Sequence, residues 1–281
     1  MAKRRSKWNG DVFHRRIDAG RGFGTGKDYI PFIQVHDFPS LGTCSRVKSE
    51  TVGRVHHLFS KNELAFFYIL DFDDDVIDIR EQFPLLDPDD PHDLCRIVDL
   101  AEKAGIRYPR DIHSRYPYVQ TSDFVVTTKT DCRVYSIKES KEYDKERVRE
   151  LQELERRYWK WRDVPWSIMT EREINYVLAS NIQWIYHARD IGCFFPDPKI
   201  CADVMSYERE LYEKTTYSIS HIARDAESYF HINGGLGLTS FQRLLLEKKL
   251  TIPLDKPLDL MAPRLHCRQK GGWQSCLEIY Q

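Results

Sequence analysis

No run of about 18 apolar residues occurs in this 281-residue chain, so it offers no membrane-spanning helix. Cysteine is sparse: seven residues, scattered, with no C-x-x-C pair. An odd count without framework spacing argues against a disulfide scaffold and for reduced thiols. His92-Asp-Leu-Cys95 has metal-ligand spacing but no matching second pair. Net charge is also missing, with 42 Lys and Arg against 43 Asp and Glu. Bulk charge therefore announces no nucleic-acid binder. The amino terminus is basic but has no apolar core of signal-peptide type, so a cytoplasmic protein is expected. Two phosphate motifs fail on inspection. A P-loop ending at Gly26-Lys27 needs glycine at position 21 and Ser or Thr at 28, where the chain has Arg21 and Asp28. The dinucleotide pattern G-x-G-x-x-G fails in every frame, which leaves the glycine cluster at 20–26 as a flexible turn.

The charge that is present is unevenly placed. Within residues 1–30, Lys3, Arg4, Arg5, Lys7, Arg15, Arg16, Arg21 and Lys27 stand against only Asp11, Asp18 and Asp28. Residues 1–50 read as a basic, irregular lead-in able to contact DNA phosphates. The length fits two modest domains better than one. A capping box at Thr170-Glu-Arg-Glu173 marks the boundary, giving segments 1–50, 51–170 and 171–281.

Chemistry concentrates between residues 60 and 140. Thr121–Thr127 and Arg133–Lys138 alternate polar and apolar, as half-buried strands do. The linker between them is short, so they form an antiparallel hairpin. A turn centred between Lys129 and Thr130 sets Asp123 opposite Ser136 and Thr121 opposite Lys138. A carboxylate, a hydroxyl and an ammonium then share one patch. That set suits metal-assisted phosphodiester hydrolysis, and equally a cross-strand ion pair on a solvated face. Upstream, Ser60-Lys-Asn-Glu63 before an apolar run is a capping box opening a buried helix. Glu63 is therefore either a cap or a third acid aimed at the hairpin. Val76–Gln82 reads as a strand ended by Pro84, and residues 93–104 as a short helix. Glu81 and Gln82 lie near the site, or more often support such a site from behind or face solvent. In Lys141–Trp161 the residues Val148, Leu151, Leu154, Tyr158 and Trp161 step at helical spacing, with a charged face left to water. Pro165–Met169 returns as a strand.

Several words of the sequence are similar to one family. Gly20–Phe32, Gly53–Leu58, Asp78–Leu85, Thr121–Phe124 and Glu153–Trp159 resemble TnsA, the end-cutting endonuclease subunit of a heteromeric bacterial transposase. The similarity runs from about residue 13 to 186 and fades in the last third. The resemblance implies an α/β fold: a restriction-endonuclease-like core with a mixed sheet, then a mainly helical, winged-helix-like domain. It implies that Glu63, Asp123 and Lys138 are catalytic and that Mg²⁺ (or Mn²⁺ in its place) is the cofactor. The chain departs from the family at Ser136, where Glu, Asp or Gln is usual. The metal shell would then be Glu63 and Asp123 with Ser136 or the carbonyl of Ile137. The implied partners are transposon-end DNA, a TnsB-type transposase and a TnsC-type ATP-dependent regulator. A stand-alone restriction or repair nuclease and a non-catalytic adaptor are the competing readings.

For the last third, helices are expected near 171–188, 199–213, 218–229 and 239–249, the last opened by Thr239 and Gln242. Leu250–Leu254 and Trp273–Tyr280 read as paired strands, and helices followed by a strand pair suggest a winged helix. Leu244, Leu245 and Leu246 favour core, so this domain reads as a protein-docking module. A basic patch at Arg264, His266, Arg268 and Lys270 keeps DNA contact open.

Overall fold

A computed structural model describes residues 8–37, 43–189, 195 and 197–263. Contacts divide these residues into two units, one ending at Ile174 and one beginning at Asn175. Among the described residues, no helix is long and apolar enough to cross a membrane.

The first unit is a mixed α/β layer structure. Its elements are α1 (Gly10–Asp18), β1 (Ser45–Lys48), β2 (Val55–Leu58), α2 (Lys61–Phe72), β3 (Val76–Pro84), α3 (Cys95–Lys103), β4 (Thr121–Thr128), β5 (Cys132–Ile137), α4 (Ser140–Tyr143), α5 (Glu146–Trp161) and β6 (Trp166–Met169). The four-stranded sheet has the order β3-β4-β5-β6. Its first three strands are antiparallel, and β6 runs parallel to β5. A separate hairpin joins β1 and β2.

The strands are buried on both faces, where alternation alone suggests burial on one. Phe66 of α2 packs on Phe124 and Tyr135. Leu154, Tyr158 and Trp159 of α5 share a cluster with Val125 and Val134, which point the other way. Two-sided cover removes the polar face, so Ser122, Asp123 and Ser136 are polar groups in an interior. Helix α2 is apolar nearly all round, as a helix at the centre of a core must be. Burying each of Phe66, Phe67, Ile69 and Leu70 contributes roughly 1.5–3 kcal/mol.

Three local readings need correction. The lead-in is not irregular: Asn9 caps α1 by accepting from Val12 N, and Phe13 and Ile17, one turn apart, enter the main core. The glycine turn lies against its own chain. Gly22 has φ +88°, and a Cβ there would sit 2.4 Å from Cγ of Pro84 at the end of β3. Gly26 N donates to Asp78 Oδ1 at 3.1 Å, fixing the turn to the same strand. The helix expected over Lys141–Trp161 is two helices, because the backbone is extended at Lys145 (φ −75°, ψ 126°).

The second unit is helical among the described residues: α6 (Tyr176–Ile185), α7 (Pro198–Lys214), α8 (Ile219–Phe230) and α9 (Leu236–Leu246). The Thr170/Glu173 box forms, but it closes a turn, and Asn175 caps α6 instead. Helix α9 starts after Gly235, earlier than expected. Thr239 lies inside it and donates to Gly235 O at 2.8 Å. Leu250–Leu254 pairs with no strand among the described residues, and its expected partner at 273–280 lies outside them, as do Arg264, His266, Arg268 and Lys270.

Helices α8 and α9 meet at Gly237, where a Cβ would lie 2.3 Å from the carbonyl oxygen of Ala223. Gly237→Ala should therefore destabilise the second unit by about 2 kcal/mol, although alanine favours a helix by itself. Thermal melting checks this; an unchanged or higher melting temperature would mean that the helices have room to part.

Candidate active site

The β4–β5 register places Phe124 opposite Tyr135 and Val125 opposite Val134. Continued one step, it sets Asp123 across from Ser136, as the short turn requires. Asp123 is 9% exposed, yet its carboxylate is well supplied with donors. Oδ2 accepts from Ile137 N at 2.7 Å, from Lys138 Nζ at 2.8 Å and from Ser136 Oγ at 3.3 Å. The Lys138 ammonium also donates to the Ile137 carbonyl at 2.9 Å. On the other side, Gln82 Nε2 lies 3.5 Å from Asp123 Oδ1, and Thr121 holds the Gln82 amide oxygen at 3.1 Å. Gln82 has φ +49°, a left-handed residue on the edge strand that swings its amide over Asp123.

Glu63 is a capping residue and also a wall of the same cavity. Its Oε2 accepts from Phe59 N at 3.0 Å and its Oε1 from Ser60 Oγ at 2.9 Å, while Ser60 Oγ accepts from Glu63 N. The cavity, of about 300 Å³, is lined by Glu63, Asp123, Glu139, Glu142 and Glu155, with Lys138 as the one cation lining it among the described residues. Glu155 and Gln152 come from α5, on a face that sequence periodicity assigns to solvent. Their signal was an interruption: Val148, Leu151, Glu155 and Tyr158 step by three, four and three, so Glu155 occupies an apolar position.

The electrostatics follow from crowding. Burial pushes the Glu63 carboxyl up to about 7, and the neighbouring Asp123 charge adds to the rise. Glu155 is likewise pushed up to about 7, first by burial and then by Asp123. Burial alone would lower the Lys138 ammonium, but Asp123 and Glu155 outweigh it and hold the group above its ordinary value. Glu139 and Glu142 pair with Lys141 and Lys145 at 2.6 and 2.7 Å, which leaves the buried Glu63, Asp123 and Glu155 around one ammonium, still an unbalanced set.

A hard divalent cation fits this donor set. It prefers carboxylate and carbonyl oxygens and offsets the charge surplus. Glu155 Oε1 and Gln152 Oε1 are buried without a hydrogen-bond partner among the described residues, as acceptors awaiting a cation or its waters would be. No three His, Cys, Asp or Glu side chains among the described residues converge tightly enough to hold a metal alone. Ser136 Oγ reaches the same Asp123 oxygen as two shorter donors, Ile137 N and Lys138 Nζ. Ser136→Ala should lower cutting less than tenfold, consistent with one neutral hydrogen bond of about 1 kcal/mol; a thousandfold loss in a cleavage assay would make its hydroxyl a direct ligand.

Other expected residues lie elsewhere. Glu81 is not solvent-facing: it is fully buried between Arg54 and His56, 2.5 Å and 2.9 Å from their nitrogens. Burial would raise its carboxyl, but these two partners hold it far below the usual range. Among the basic residues, Arg21 and Arg16 pair with Asp37 at 2.6 and 3.4 Å, and Arg16 also lies over Trp8 and Phe32. Arg15 and Lys27 are exposed, and Lys3, Arg4, Arg5 and Lys7 lie outside the described residues.

Comparison with known proteins identifies the family. Residues 73–171 match the family model described as TnsA-like endonuclease N terminal, and residues 173–254 match TnsA endonuclease C terminal. Glu63 lies upstream of the first match. The chain is 36% identical over 251 residues to the transposon Tn7 transposition protein TnsA of Escherichia coli, covering 87% of this chain and 86% of that protein. With an acidic cavity on a mixed sheet and both family segments spanning most of its length, this chain belongs to the TnsA family of endonucleases.

Proposed function

We propose that the chain is a divalent-cation-dependent DNA endonuclease of transposition. It cuts the 5′ strand at transposon ends while a TnsB-type transposase cuts and joins the 3′ strand, and a TnsC-type regulator docks on the second unit. The observation that carries this reading is the cavity where three buried carboxylates, Glu63, Asp123 and Glu155, surround one ammonium. Such a cavity repels a phosphodiester until a cation neutralises it, which is the behaviour of a metal-dependent nuclease. The antiparallel β3-β4-β5 set, extended by parallel β6, supports a restriction-endonuclease-like core. The four helices of the second unit support the helical part of a winged helix.

Glu63, Asp123 and the Ile137 carbonyl would hold the cation, with Ser136 and Gln82 orienting Asp123. When bound, Mg²⁺ or Mn²⁺ would polarise the scissile phosphate and acidify a water. Lys138 neutralises a non-bridging phosphate oxygen and orients the attacking water, since its ammonium already sits at the mouth of the acid cluster. Attack in line with the 3′ oxygen leaves a 5′-phosphate and a 3′-hydroxyl. Nothing in the first unit reads as a code for base edges, so partner proteins choose the site.

A strand-specific assay tests this reading, using transposon-end duplex, TnsB-type partner and Mg²⁺. Cutting of the 5′ strand should require this chain and stop on chelation. Cutting without the partner would make it a stand-alone nuclease. Joining of 3′ ends with no 5′ cut would make it an adaptor.

A further inference from the structure

A second surface of the first unit carries charge of the opposite sign. A groove of about 620 Å³ is lined by Arg107, Arg110, Arg115 and Arg147, with Glu102 as the one carboxylate among its lining residues. The bias is local, because the whole chain carries a net charge of only −1. Arg107, Arg110 and Arg115 are exposed and form no ion pair among the described residues. Arg147 plays a different part: it pairs with Glu150 at 2.6 Å and donates to the Arg107 carbonyl at 2.5 Å, tying the groove to α5.

The loop that presents these arginines is held rigidly. Asp111 Oδ1 accepts from the amides of His113 and Ser114, and its Oδ2 accepts from Tyr118 OH. Arg110 and Pro117 form an isolated bridge, and Tyr118 N donates to Pro109 O. Arg115 adopts φ +61°, an uncommon conformation for a side chain of its size. The backbone that presents the three arginines is thus fixed before any ligand arrives, and Arg110 donates to the Arg115 carbonyl at 3.4 Å, which lowers the ordering cost of binding.

The position of the groove names the ligand. Arg147 and Val148 are adjacent at the start of α5; the first lines the groove and the second lines the catalytic cavity. Arg147 and Glu155 are eight residues apart on α5, about 12 Å along its axis. Phosphates of one duplex strand advance about 3.4 Å each along the axis, so this span covers three to four nucleotides. We infer that Arg107, Arg110 and Arg115 form a phosphate-backbone clamp for duplex DNA beside the cut, gripping the strand a few nucleotides from the scissile bond. The inference rests on the nuclease reading for its ligand. It adds a surface that offsets the repulsion of the acidic cavity. Planar guanidinium forks suit phosphate oxygens, and the clamp is indifferent to sequence.

The test is binding of the full chain to a 30-base-pair fluorescent duplex in EDTA, so that no cutting intervenes. The triple variant R107A/R110A/R115A should bind at least tenfold more weakly at moderate salt. Its plot of log affinity against log salt should be shallower by roughly two to three, one unit for each lost phosphate contact. The triple lysine variant should keep the steep slope. Unchanged affinity, or weaker binding with an unchanged slope, would overturn the clamp. Loss of the slope in the lysine variant would overturn it too, because the charge would then not be what binds. Cleavage by an Asp123 variant reports separately on the nuclease reading; the clamp stands or falls by the affinity and the salt slope.

Discussion

Asp123→Asn should reduce DNA cutting by at least about a thousandfold, roughly 4 kcal/mol of lost transition-state stabilisation, while the fold persists. The carboxylate is the hub of the site. It accepts from Ile137 N, Ser136 Oγ and Lys138 Nζ, and it raises both Glu63 and Glu155. Asparagine keeps an oxygen for Ile137 N but removes the charge that a divalent cation and the Lys138 ammonium require. Alanine is the poorer probe. It would leave a buried amide and a cation unpaired, at a cost of roughly 1–3 kcal/mol for the amide alone, and inactivity could then be misfolding. Strand-specific cleavage and a melting curve on the same sample separate the two. Full activity of the asparagine variant would remove Asp123 from the chemistry; unfolding would make it structural.

The second large effect concerns stability. Glu208 is fully buried in α7, and neither of its oxygens has a hydrogen-bond partner of normal geometry among the described residues. Burial pushes its carboxyl up to about 9, with Ser240 easing the rise and Glu227 adding to it. The folded state therefore holds this proton where the unfolded chain releases it. Below the ordinary glutamate range both states are protonated and the group costs little. Between about pH 4.5 and pH 9 the folded state binds more protons, so stability falls as pH rises. Each pH unit within that window costs about 1.4 kcal/mol. Glu208→Met, similar in volume and without charge, should raise the melting temperature of the second unit several degrees at pH 8.5 and much less at pH 5.5. Melting followed at both pH values decides it. An equal shift at both, or a lower melting temperature, would mean that Glu208 is compensated in the folded protein.

These two acids show what the sequence carries and what it hides. Asp123 was legible because a hairpin is a local object: a short turn fixes the register, and the register puts Asp123 against Ser136. Glu63 is legible as a cap, and as a cap it also lines the cavity. Gln152 and Glu155 were hidden because the charged residues of α5 outnumber the apolar ones, and a long polar face reads as solvent. Only the sheet, built from residues far away in sequence, turns that face inward. The same reason hid the Arg54, His56 and Glu81 cluster, which joins β2 to β3 and looks like three surface charges in a row of letters. The second unit was read correctly as helical. Helices α6 and α9 start away from the capping-box spacings at Thr170 and Thr239 because Asn175 caps α6, and Glu227 of α8 accepts from Gly235 N and Gly237 N at the start of α9.

The central claim is that Glu63 and Asp123 share one divalent cation at the cavity that Lys138 guards. Crystals of the full chain soaked in Mn²⁺ and measured at the manganese absorption edge test it most directly. The account predicts an anomalous peak bounded by the two carboxylates and the Ile137 carbonyl, lost in Asp123→Asn. Saturating Mn²⁺ that supports cutting in solution yet leaves no density between those groups would contradict it.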